Sequence, residues 1–228
     1  MSHTSDVLTP RTNLPDRHDP AINVYPGQRL NIYSHLIGLA LSLAFSALVL
    51  ARCARQVDAK TIGGVVVFCL ASAALFVAST VCHGSRGEAR HLWQRLDHAA
   101  TFWLIAGSYT PFALTAPRED ANLAFLAAMW VAALLATVWQ FRVREVAVPP
   151  TLLYIAMGWL GTAAAAFVAV RLSMTSLIWL FVGASLYCAG TAFYRNAMGW
   201  KHAHGVWHVF VVAGAVSHYA AVYFLVAA

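Results

Sequence analysis

The sequence predicts an all-α integral membrane protein: a bundle of seven transmembrane helices, N-terminus in the cytoplasm and C-terminus outside. Three observations lead there. Of 228 residues, 60% are hydrophobic and only 11% charged, against roughly 25% charged in a soluble domain, and the mean hydropathy is +0.64. The apolar residues fall into seven runs, each long enough to cross a hydrocarbon core of ~30 Å. The basic residues are also unevenly shared between the two sides. Arg11, Arg17, Arg29, Arg86, Arg90, Arg95, Arg142, Arg144, Arg195 and Lys201, ten in all, fall to the side of the N-terminus, and Arg52, Arg55, Lys60, Arg118 and Arg171, five in all, to the other. The positive-inside rule makes the richer side cytoplasmic.

Taken in order, residues 1–29 form a polar, proline-containing N-terminal tail, expected to be mobile. It has no apolar core of the kind a secretory signal needs. Residues 30–228 form the membrane domain. The runs span about 30–51, 61–82, 97–116, 122–140, 150–170, 172–194 and 204–227. A basic loop over 84–95 follows the second run, and Pro111 is expected to kink or thin the third helix near its far end. The net charge of +6 is scattered through short loops, so it reads as membrane orientation and not as a nucleic-acid groove. The four cysteines form no C-x-x-C pair and are read as small membrane-helix residues without a disulfide framework.

Polar residues converge at one depth. His204 and His208, four apart, lie one turn apart on one face at the start of the seventh run. That spacing suits two ligands on one metal ion, although Gly205 follows the first histidine where H-E-x-x-H has its general base. Tracing the chain puts His83, at the end of the second run, and Asp97, at the start of the third, on the same cytoplasmic edge. Asp97 is the only acidic residue inside any run, and ionisable groups in a membrane mark function by default. Three imidazoles with a fourth position open make a catalytic zinc shell, and zinc lowers the pKa of its water to about 7. Asp97 then handles water as a general base or orients a ligand histidine. Ser79, one turn before His83, either donates to such a carboxylate or to a bound water, or bonds its own i−4 carbonyl. His98 is about 100° round the helix from Asp97 and is expected to face a different neighbour. His218 lies about 15 Å beyond His208, too far for the same ion, and reads as a hydrogen-bonded packing residue. Asn31 and Ser34 suit a helix start. His35 is either a cross-helix hydrogen-bonding residue or a further ligand.

Four blocks together resemble the hemolysin III family, the bacterial branch of the progestin and adipoQ receptor group. They are Asn31-x-x-Ser34-His35, Ser79-x-x-x-His83, Leu96-Asp97-His98 with Ala106 to Phe112, and His204-x-x-x-His208 continuing to Ser217-His218-Tyr219. The resemblance covers about 28–226 and implies a multi-pass protein of the bacterial inner membrane, seven helices with the N-terminus inside, and zinc held by His83, His204 and His208. The wider group includes alkaline ceramidases, so the implied chemistry is metal-dependent lipid hydrolysis, with membrane lipids as partners. Gln28 stands where the family usually has Glu.

The expected function is therefore a zinc-dependent hydrolase of a lipid amide or ester, with Asp97 and Ser79 as its catalytic pair. The alternatives are a receptor or sensor clamped by structural zinc, and a hemolysin-like cytolysin. A pore should carry polar residues through the midplane of several helices, whereas helices four to six are almost wholly apolar. A retinal pump needs a lysine inside a span, and the only lysines, Lys60 and Lys201, lie outside.

Overall fold

A computed structural model of the chain describes residues 28–54, 58–115, 120–143, 151–196 and 199–227. Almost all of the N-terminal tail lies outside these. Seven helices make up the described chain: α1 (Arg29–Cys53), α2 (Ala59–Gly84), α3 (Gly87–Thr115), α4 (Asp120–Arg142), α5 (Thr151–Leu172), α6 (Met174–Arg195) and α7 (Ala203–Leu225). Among the described residues, α1, α2, α4, α6 and α7 are long and apolar enough to span a membrane, and Thr151–Phe167 of α5 forms a shorter apolar helix.

The third helix corrects the expected boundaries. It begins at Gly87, so the supposed basic loop consists of its opening turns, and only Ser85 and Arg86 connect it to α2. Leu, Arg, Gln, Glu and Ala are all strong helix formers, so the charged stretch Glu88–Arg95 continues the helix past the apolar run. Pro111 sits inside α3, which runs on to Thr115. Helix starts follow local chemistry. Asp58 caps α2 by accepting the Thr61 amide at 2.8 Å. That bond holds the exposed Asp58 carboxyl below its ordinary pKa. At α1 the N-cap is Gln28, and Asn31 and Ser34 lie buried inside the helix. Ser34 donates back to the Asn31 carbonyl at 3.0 Å within the helix, and Asn31 is drawn to partners described below.

Six helices close a ring: α1 packs on α2 and α7, α2 on α3, α3 on α5, α5 on α6, and α6 on α7. The remaining helix, α4, packs mainly on the outside of α3. It is tied there by Trp103 Nε1 donating to Thr137 at 2.9 Å and Trp130 Nε1 donating to Thr110 at 3.1 Å. Its other face exposes Val131, Leu134, Leu135 and Val138, as a lipid-facing helix should.

Inside a bilayer the hydrophobic effect does not drive helices together, so close packing and interhelical hydrogen bonds must. Small residues provide the first. A Cβ on Gly107 of α3 would lie 2.8 Å from the Ala71 Cβ of α2, and one on Gly64 would lie 3.0 Å from the Pro111 Cα. Hydroxyls provide the second. The Tyr219 hydroxyl of α7 bonds Ser42 and Ser46 of α1 at 2.9 Å each, and Ser42 donates to Ser72 of α2 at 3.1 Å. Ser176 of α6 donates to the Ala221 carbonyl of α7 at 2.7 Å.

The α2–α3 contact gives a direct test. Gly107→Ala should destabilise the protein by about 1–3 kcal/mol, because two methyl carbons cannot share that separation without moving a helix. Gly63→Ala, where a Cβ would meet nothing within 4 Å, should be neutral or slightly stabilising. Melting temperatures in one detergent compare the two; equal values would show that the Gly107–Ala71 contact is not tight.

Candidate metal centre

Three helix ends meet at one edge of the ring. His83 lies in the last turn of α2, and His204 and His208 lie in the first two turns of α7. Their ligand-capable atoms all lie within 4.8 Å of one another. The ring centroids are 5.2 Å apart for His83 and His204, 4.8 Å for His83 and His208, and 4.7 Å for His204 and His208. The cluster grades from buried His208 through half-buried His83 to exposed His204, so one side faces outward. Three imidazoles at this spacing could hold a metal ion. The donor set suits a borderline metal with an open coordination position.

The first turn of α1 lies against this cluster. The Gln28 Oε1 atom accepts from His83 Nδ1 at 2.6 Å and from Asn31 Nδ2 at 3.0 Å. His208 Nδ1 donates to the Asn31 carbonyl at 3.2 Å. On the inner side His35 stacks on His208, with centroids 3.8 Å apart, and meets the Phe76 ring edge-on at 5.2 Å. His35 was expected to hydrogen-bond or ligate. Instead both its ring nitrogens are without a hydrogen-bond partner, and its place is set by ring packing.

Asp97 is half-buried in α3 and accepts a hydrogen bond from the buried Ser79 hydroxyl of α2. This contact is the one that the carboxylate reading of Ser79 needs. The three-histidine cluster does not include Asp97, but the pair and the cluster line one cavity.

That cavity has a volume of about 560 Å³ and is enclosed by the ring, with α4 contributing no lining residue. Leu75, Leu104, Ile105, Ile155, Trp159 and Val211 give it apolar walls, and Arg90, Gln94, Tyr194 and Lys201 also line it. His98 lines it as well. The cavity is wide enough to take side chains from more than one face of α3. His218 is buried and also lines it, packed on Tyr187 (centroids 5.3 Å apart) over Gly183; it packs as expected, but without the expected hydrogen bond, since neither ring nitrogen has a partner among the described residues. A sequence reading of the centre misses Gln28, Asn31 and Arg90. For the first two a signal existed, since both lie in the block next to His35.

Comparison with known proteins bears on the whole chain. A family model described as Haemolysin-III related matches residues 25–219. Hemolysin-3 homolog from Bacillus subtilis (strain 168) is 31% identical over 199 residues, covering 85% of this chain and 92% of the relative. Hemolysin-3 from Bacillus cereus is 30% identical over 201 residues, covering 86% and 90%. Heptahelical transmembrane protein 1 from Arabidopsis thaliana is 29% identical over 235 residues, covering 86% and 69%. The family match begins ahead of α1 and ends within α7, so it takes in every helix and every residue of the centre, and the chain belongs to the haemolysin III-related family of membrane proteins.

Proposed function

We propose that this protein is a zinc-dependent membrane hydrolase acting on a lipid amide or ester at the cytoplasmic edge of the bacterial inner membrane. The observation that carries the reading is the meeting of His83, His204 and His208 with the Ser79–Asp97 pair on one largely apolar cavity. Its size falls in the range of small-molecule sites, and its aliphatic walls suit an acyl chain. A zinc ion held by the three histidines would supply a Lewis acid that activates water near neutral pH.

The chain's own groups divide the rest of the work. Asp97 accepts a proton from the attacking water and returns it to the leaving nitrogen or oxygen as the acyl C–N or C–O bond breaks. Ser79 occupies part of the carboxylate by donating to it, which fixes its direction. Arg90 and Lys201 place cationic groups along the cavity, suited to a polar headgroup. The walls below exclude bulk water from the acyl chain.

The deciding experiment is metal analysis of purified protein, paired with mass-spectrometric product detection after incubation with a panel of ceramides and phospholipids. One zinc per chain and a released fatty acid support the reading. Bound zinc without turnover of any lipid favours a receptor clamped by zinc.

Placing the site at the cytoplasmic edge has its own test. A reporter fused after Ala228 should read extracytoplasmic, and one inserted at Ser85–Arg86, between α2 and α3, cytoplasmic. The reverse pattern would put the centre on the outer face.

A further inference from the structure

We infer that the first turn of α1, seated on Gly205, is the outer clamp of the metal centre, and that Gln28 and Asn31 decide which nitrogen His83 and His208 offer to a metal. The inference rests on the metal-binding reading above. A neutral imidazole carries one N–H and one lone pair, and only the lone pair binds a metal. The Gln28 Oε1 atom and the Asn31 carbonyl oxygen can only accept. At 2.6 Å and 3.2 Å from the two Nδ1 atoms, they hold the proton on both Nδ1 atoms; the competing donor, Asn31 Nδ2, stands farther off, 3.5 Å from His83 Nδ1. His83 and His208 therefore both present Nε2 as the ligand. Asn31 Nδ2, donating to the same Gln28 oxygen at 3.0 Å, keeps the amide from turning over.

Gly205 makes this seat. A Cβ there would fall 2.4 Å from Leu30 Cδ2, 2.6 Å from Leu30 Cγ and 3.1 Å from Asn31 Oδ1. The glycine between the two α7 histidines is thus the patch of bare backbone on which α1 rests. Its role is close approach, and no unusual backbone angle is involved. Gln28 also departs from the glutamate of the hemolysin III pattern. An amide keeps the acceptor and removes one negative charge, so His83 is oriented without the added electron donation that a carboxylate gives a ligand histidine.

The test uses the full chain in detergent. Zinc affinity is measured by competition with a chromophoric chelator, and ligand geometry by the absorption spectrum of the cobalt-loaded protein. Gln28→Leu should weaken zinc binding by about 10–100-fold, the usual cost of losing an outer-sphere partner, and change the cobalt spectrum. Gln28→Glu should bind zinc at least as tightly as the parent chain. Gly205→Ala should weaken zinc binding like Gln28→Leu. Melting temperatures of the metal-free proteins separate these effects from loss of fold. Parental affinity and spectrum in Gln28→Leu would overturn the inference. So would a Gln28→Glu protein as weak as Gln28→Leu, because the amide would then be facing His83 with its nitrogen. A parent chain that takes up neither ion overturns the metal-binding reading itself, and this inference with it.

Discussion

Replacing His83, His204 or His208 by alanine is expected to strip the metal from the protein. Among the described residues each histidine supplies one of the three donors that converge within 4.8 Å, and an open site held by two imidazoles is a poor zinc site. Even outer-sphere losses cost about 10–100-fold, so the loss of a direct ligand should exceed about 100-fold in affinity. His98→Ala and His218→Ala are the informative controls. Both residues line the same cavity but stand outside the cluster, so both variants should keep their metal. Elemental analysis of the five proteins, purified without chelator, reads this directly. Full zinc content in all three ligand variants would remove the basis of the proposed function.

Asp97→Asn is expected to separate chemistry from metal holding. The substitution keeps the size and an oxygen for Ser79, and removes the charge and the proton acceptor. Zinc should remain bound, because the carboxylate is not part of the histidine cluster. Lipid hydrolysis should fall by about 10²–10⁴, the ordinary worth of a general base. If zinc only clamps α2 to α7, the same variant should lose thermal stability and show no change in turnover. Zinc content, melting temperature and product formation on one preparation distinguish these results. Turnover at the parental rate with zinc retained would exclude Asp97 as the base.

Much of the architecture could be read from local pattern. Apolar runs give helices directly, and a one-turn spacing gives His204 and His208 a common face. Following the chain back and forth across the membrane then brings His83 and Asp97 to the same edge, with no packing needed. What the sequence hides depends on packing. A hydropathy scan stops where charge begins, so Glu88–Arg95 reads as a loop although its residues favour helix. Asn31 reads as a cap because its side chain suits one, but that side chain is committed to Gln28 and its carbonyl to His208. The Gln28–His83 bond joins residues 55 apart in sequence, and no local rule links them. His35 looks like a hydrogen-bonding residue until the stack on His208 is seen.

The position of α4 outside the ring has a consequence for how such a chain can diversify. Among the described residues every one that lines the cavity comes from the other helices, the N-cap of α1 or the turn before α7, and α4 meets the ring chiefly through α3. Exchanges of one apolar side chain for another along Val131, Leu134, Leu135 and Val138 therefore reach the cavity only through a shift of α3 or α5. Among the described residues α4 bears a lipid-facing surface and no part of the cavity wall, whereas α1, α2, α5 and α6 bear both. Apolar drift on the α4 face can therefore accumulate with the cavity wall unchanged, a freedom the ring helices lack.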